Sequence, residues 1–153
     1  MLELHAAGIT GALHAAGTLA PDRRVVSVDA TRVGTGQMGD CLRLALAYDG
    51  DTDAPATLVA KLPSSDETSR ATGMAMRTYE VEVRFYQELA ARLPVRAPRC
   101  HHAEIDLATG DFVLLLEDLA PAACTPRSGA TPTWCASTGR SSGRPSPRTP
   151  CRR

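Results

Sequence analysis

Lys61 is the only lysine in this chain of 153 residues, and the other cationic side chains apart from histidine are arginines. Where arginine is the usual cation, a single retained ammonium group suggests chemistry that needs a compact point charge. The apolar run Ala56 to Leu62 carries this lysine near its end, so we expect a strand to position it. Lys61 is therefore the first candidate for a chemical role.

A glycine-rich segment lies upstream of this lysine and has the pattern G-x-G-x-x-G at Gly34, Gly36 and Gly39. Glycines allow backbone N–H groups to approach a phosphate closely, because no Cβ stands in the way. In a dinucleotide-binding fold such a segment opens a helix. Here the β-branched run Val25 to Val33 precedes it and the apolar run Cys41 to Tyr48 follows it. The sequence therefore predicts a strand on each side of the glycines.

A helix over about Arg70 to Arg92 is predicted to carry a second candidate group. At about 100° per residue, one apolar stripe of this helix contains Met76, Tyr79, Val83, Tyr86 and Ala90. Glu82 falls at the edge of the stripe, and a carboxylate against a packed face needs a partner. An alternative is that Glu82 is only a rim carboxylate and that Glu80 pairs with Arg84 one turn further on.

The other predicted elements are strands over Cys100 to Asp106 and Phe112 to Leu116, and a short helix in two pieces over residues 2 to 17. Cysteine and histidine side chains adjoin at Cys100, His101 and His102, but no second pair of ligands accompanies them. We therefore predict no metal site there.

Four segments, taken in their order along the chain, resemble the N-terminal lobe of the aminoglycoside phosphotransferase and choline-kinase-like superfamily, the small-molecule relatives of protein kinases. Within that superfamily they resemble the ecdysteroid-kinase-like branch. The resemblance covers residues 1 to about 121. Its segments are residues 33 to 39, 58 to 62, 82 to 86 and 112 to 119.

The resemblance implies an α+β fold: a protein-kinase-like N-lobe with a five-stranded, mostly antiparallel sheet and one main helix. It implies ATP and Mg²⁺ as cofactors and a hydroxyl group on an unknown small molecule as the acceptor. It also implies that Glu82 pairs with the lysine and holds it against the nucleotide phosphates, and that backbone groups after the fifth strand contact the adenine edge. The implied nucleotide-binding residues are Gly34, Gly36, Gly39, Lys61, Glu82, Glu117 and Leu119.

No catalytic residue is assigned, because the groups that carry out phosphoryl transfer are missing from the sequence. Such transfer needs an aspartate at the acceptor hydroxyl, and an asparagine and a second aspartate for magnesium. In the superfamily all three follow the segment Glu117-Asp118-Leu119. After Asp118 the chain has no Asp, Glu or His, and it has no Asn at all. We therefore expect an N-terminal fragment of a kinase that is inactive alone.

The predicted nucleotide-binding domain spans residues 1 to 120, and a basic tail spans residues 121 to 153. The tail has six arginines, no acidic residue and no Leu, Ile, Val, Met or Phe. It cannot bury enough apolar surface to offset the entropy of ordering, so we expect it to be disordered. A changed reading frame near residue 122 is our preferred explanation of its composition, and we do not expect it to bind nucleic acid.

Two other functions stay open. One is a non-catalytic module that binds a nucleotide or a partner protein, and the other is a dinucleotide-binding oxidoreductase domain built on residues 34 to 39. The sequence has no run of about 18 apolar residues and no start typical of a signal peptide. We therefore expect a cytoplasmic protein with no membrane partner.

Overall fold

A five-stranded sheet is the framework of the computed structural model, which describes residues 1–34 and 38–120. The strands are β1 Val25–Arg32, β2 Gly39–Tyr48, β3 Thr57–Pro63, β4 Cys100–Ile105 and β5 Phe112–Glu117. They are arranged in the order β1-β2-β3-β5-β4, and each neighbouring pair is antiparallel. The α+β class and the antiparallel sheet are thus confirmed. The predictions made for Gly36 and for the tail lie outside the described residues.

The first helix, α1, spans Ala6–Ala15 and is continuous, so the prediction of two helical pieces is wrong. His5 begins it, because its Nδ1 accepts a hydrogen bond of 3.0 Å from the N–H of Gly8. Gly17 follows its end at a φ of 62°, a conformation that favours glycine. A glycine within the helix, Gly11, faces solvent and does not interrupt it.

The single helix predicted over residues 70 to 92 is also wrong, because Arg77 interrupts it with a left-handed φ of 54°. Helix α2 spans Glu67–Ala75 and α3 spans Thr78–Arg84, followed by a π-helical turn over Phe85–Leu89 and a 3₁₀ turn over Ala90–Arg92. The interruption resets the helical phase, so Met76 is 65% exposed instead of joining the apolar stripe. None of the helices in residues 1–34 and 38–120 is long and apolar enough to span a bilayer.

Strand β5 separates two hydrophobic clusters and is buried at its first five positions. Leu115 contributes to the cluster that contains Ile9 and Leu13 of α1. Phe112, Leu114 and Leu116 point the other way and contribute to the cluster of α3. Because alternate residues of a strand face opposite sides, β5 needs apolar side chains at every position and reads as an uninterrupted apolar run.

Gly73 of α2 lies against the ring of Tyr79, and this contact generates a test of the α2–α3 packing. A Cβ at Gly73 would lie 2.5 Å from Cζ of Tyr79, whereas a Cβ at Gly11 of α1 would have nothing within 4 Å. We expect Gly73→Ala to destabilise the protein by about 1–3 kcal/mol through overpacking. The matched variant Gly11→Ala should stabilise it by about 0.5–1 kcal/mol. Urea unfolding measures both, and equal midpoints for the two variants would contradict the packing described.

The side chain of His101 links β4 to the segment after α1. Its Nδ1 lies 2.9 Å from Oγ1 of Thr18 in a hydrogen bond, and the residue is buried. Burial lowers the pKa of His101 below 6.5, the nearby charge of Arg99 lowers it further, and Glu117 opposes the shift. The folded protein therefore takes up a proton on this ring at a lower pH than the unfolded chain does.

This difference predicts a pH-dependent stability. As the pH falls below about 6.5, the unfolded chain binds a proton at this histidine before the folded protein does, so the free energy of unfolding decreases. We expect His101→Gln to flatten this dependence between about pH 7 and pH 5, because the variant has no titrating ring. Urea unfolding at several pH values measures the slope, and identical slopes for the two proteins would rule out His101 as the cause.

Candidate functional site

Lys61 of β3 and Glu82 of α3 form an ion pair across the gap between sheet and helix. The ammonium group of Lys61 donates to Oε1 of Glu82, and the two side chains are 27% and 33% exposed. The predicted partner of Lys61 is thus confirmed. Glu80 makes separate ion pairs, each of 2.9 Å, with Arg77 and Arg84, so the Glu80–Arg84 pair of the alternative is present as well. The two glutamates of α3 thus form ion pairs with different cationic residues.

The Lys61–Glu82 pair lines a cavity of about 290 Å³ beside the start of β2. The other lining residues are Met38, Gly39, Cys41, Thr78, Tyr79 and Phe112. Its volume is close to the lower limit of about 300 Å³ for pockets that bind small molecules. A charged pair in a mainly apolar wall is the arrangement expected of a small-molecule site, since the few polar groups fix the orientation of a ligand. The ammonium group is the part of this wall that attracts an anion.

The backbone itself explains two of the three glycines singled out in the sequence. Gly34 has a φ of 75°, which side chains disfavour. At Gly39, an added Cβ would lie 2.9 Å from the carbonyl oxygen of Leu62, because β2 and β3 approach closely there. Gly39 lines the cavity of the ion pair and Gly34 does not, and neither position requires a ligand to account for its residue type.

A second and more polar cavity, of about 650 Å³, lies between the β1–β2 connection and the start of α2. Its lining includes Gly34, Arg32, Asp40 and Ser65. Arg32 pairs with Asp40, whose Oδ2 also accepts a hydrogen bond of 3.1 Å from the N–H of Ser65. Desolvation raises the pKa of Asp40, but the bonds from Ser65 and the charge of Arg32 outweigh it, so the pKa lies below 3.8.

Sequence reasoning did not assign a site role to Arg32, Asp40 or Ser65, or to Tyr79. The ring of Tyr79 packs on Phe112 with centroids 4.8 Å apart, and its hydroxyl oxygen accepts a bond of 3.4 Å from the N–H of Ser64. Tyr79 precedes Glu82 by one helical turn, so it fixes the part of α3 that presents the carboxylate. The signal available in the sequence was the position of Tyr79 in the apolar stripe.

The two residues predicted to bind adenine lie at the end of β5 and just after it: Glu117 is the last residue of the strand, and Leu119 follows it. The N–H of Glu117 donates to the carbonyl of Arg99 at 2.8 Å, and the N–H of Arg99 donates to Oε2 of Glu117 at 3.1 Å. Leu119 is exposed. Neither Glu117 nor Leu119 lines the cavity of Lys61. The structure therefore brings Gly39, Lys61 and Glu82 together and leaves Glu117 and Leu119 at a separate position.

The ion pair can be tested by a double-mutant cycle with Lys61→Met and Glu82→Gln. We expect a coupling energy of about 0.2–1 kcal/mol in urea unfolding, since both partners are partly exposed and solvent screens their attraction. The matched cycle combines Lys61→Met with Glu80→Gln, and its coupling should be close to zero because Glu80 pairs with arginines. A larger coupling to Glu80 than to Glu82 would mean that the lysine has a different partner.

The chain was compared with known proteins at three levels. No protein-family model, no curated protein and no solved structure matches it.

Proposed function

We propose that residues 1 to 120 form the ATP-binding lobe of a small-molecule phosphotransferase of the aminoglycoside phosphotransferase and choline-kinase-like type, in its ecdysteroid-kinase-like branch. The Lys61–Glu82 ion pair in the wall of a cavity carries this proposal. In protein kinases a lysine of the third strand pairs with a helical glutamate and contacts the α- and β-phosphates, and a glycine-rich loop covers them. The lysine, the glutamate and the glycines occur here in the same order along the chain.

The ion pair prepares the ammonium group for a phosphate. An ammonium group has three N–H donors, and Glu82 occupies one of them, so the others can bind phosphate oxygens. Because Glu82 already holds the side chain of Lys61 in place, less rotamer entropy is lost when a ligand binds. Glu82 thereby acts on the nucleotide through the lysine.

The sheet register supports separate positions for the base and the phosphates of a bound nucleotide. Lys61 pairs with Leu114 of β5, and Glu117 lies three residues further along the same strand. At about 3.3 Å per residue this separation is roughly 10 Å, a suitable scale for an extended nucleotide. The N–H of Glu117 already donates to Arg99, so its carbonyl and the backbone of Leu119 are the groups we assign to adenine.

The proposal covers nucleotide binding and does not extend to phosphoryl transfer by this chain. Within residues 1–34 and 38–120, no group of three or more His, Cys, Asp or Glu side chains could hold a metal ion. After Asp118 the sequence has none of the Asp or Asn side chains that hold Mg²⁺ in kinases. The sequence also offers no base for an acceptor hydroxyl after Asp118. We expect no turnover of ATP, and the acceptor is an unknown small molecule.

The dinucleotide-binding alternative is less well supported. That fold places the pyrophosphate at the N-terminus of a helix that begins in the glycine segment. Here the described chain continues from the glycine segment into β2, which starts at Gly39. Among the residues of this region that the structure describes, 34 and 38–48, none is in the helix that this alternative needs.

Nucleotide binding by the full chain can be measured by calorimetric titration with ATP. We expect Lys61→Ala to weaken binding by roughly 10- to 100-fold, the effect of losing hydrogen bonds to a charged group. The matched control is Arg24→Ala, which removes a cation paired with Asp49 at the other end of the β1–β2 hairpin. Its affinity should equal that of the unmodified chain.

Two results would contradict the proposal. One is the absence of ATP binding in the unmodified chain. The other is an equal affinity in the Lys61 and Arg24 variants, because binding would then not involve the cavity of the ion pair.

A further inference from the structure

Asp118 is a buried carboxylate at the point where the chain leaves β5. Its side chain is only 7% exposed, although the neighbouring residues Glu117 and Leu119 are both exposed. A buried carboxylate is costly unless charges and hydrogen bonds compensate for the lost water. The surroundings of Asp118 should therefore contain dedicated partners.

Two segments of the chain supply those partners. From β2, Nη2 of Arg43 donates to Oδ1 of Asp118 at 3.2 Å, and Nε of Arg43 lies 2.7 Å from Oδ2. From the segment after β5, the N–H of Ala120 donates to Oδ1 at 3.0 Å. Burial raises the pKa of Asp118, but the bonds from Ala120 and Arg43 outweigh it and hold the pKa below 3.8.

These contacts fix the backbone on both sides of Leu119. Glu117 pairs with Leu58 in the register of β3 and β5, and the bond from Ala120 holds the chain three residues after the last strand position. Asp118 thus connects the end of β5 to β2, an inner strand of the sheet. The orientation of the backbone groups of residues 117 to 119 depends on this carboxylate.

We propose that Asp118, held by Arg43, is a positioning residue that makes the backbone of residues 117 to 119 selective for adenine. This inference rests on the proposed nucleotide site. The edge of adenine presents an amino donor beside a ring-nitrogen acceptor, whereas guanine presents a carbonyl acceptor beside an N–H donor. A backbone segment held in one orientation matches the first pattern and opposes the second, and unmatched buried polar groups discriminate strongly.

The experiment measures competition by ATP, GTP and inorganic triphosphate against a fluorescent ATP analogue bound to the full chain. The unmodified chain should prefer ATP to GTP. Asp118→Ala and Arg43→Ala should each lower the affinity for ATP about tenfold, the effect of misplaced hydrogen bonds, with no change for triphosphate. Asp118→Asn keeps an acceptor for the N–H of Ala120, so it should lose less affinity for ATP than Asp118→Ala does. Lys61→Ala should weaken all three ligands.

The matched control is Asp49→Asn, a carboxylate that pairs with Arg24 at the other end of the β1–β2 hairpin; it should bind all three ligands normally. Unchanged affinities in the Asp118 and Arg43 variants would overturn the positioning role and leave the nucleotide site intact. An equal loss of all three ligands would also overturn it, since the role would then be structural. If Asp118→Ala does not fold, Asp118→Asn and Arg43→Ala decide between these outcomes.

Two results with the unmodified chain would also contradict the inference. Equal affinity for ATP and GTP would overturn adenine selectivity while leaving phosphate binding in place. Failure to bind any of the three ligands would remove the nucleotide site itself, and the positioning role with it.

Discussion

The burial of both faces of β5 along its first five residues is the constraint on which the rest of the structure depends. This strand is inserted between β3 and β4, and its side chains alternate between the cluster of α1 and the cluster of α3. Five consecutive apolar residues satisfy both faces at once. Because α3 packs on the face that carries Phe112, Leu114 and Leu116, the position of Glu82 opposite Lys61 follows from the packing of β5.

The sequence predicted the strands well because each is a short apolar or β-branched run, and a strand pattern is resolved within a few residues. The Lys61–Glu82 pair was also predicted, from family resemblance together with the place of Glu82 at the edge of a packed face. The interruption at Arg77 was not predicted. A left-handed arginine carries no local signal, since the conformation is uncommon outside glycine, and here the packing of Tyr79 against Gly73 accompanies it.

In the candidate site, some features follow from the local sequence and others from contacts between residues that are distant along the chain. Gly34 was identified from its spacing, and its positive φ is a local property. The shielding of Asp118 depends on Arg43, 75 residues earlier in the chain, so no window of sequence around Asp118 shows it. The polar cavity near Arg32 and Asp40 likewise arises when α2 packs near the β1–β2 connection. Contacts of this kind require the sheet order to be known.

The left-handed residue between α2 and α3 limits how this position can evolve. Glycine would relieve the backbone cost at Arg77, about 1–2 kcal/mol for a side chain in this conformation, but it would remove a cation from Glu80. That carboxylate would keep only Arg84, whose guanidinium also serves Glu88. Arginine at residue 77 therefore keeps a second cation on Glu80 at a cost in backbone conformation.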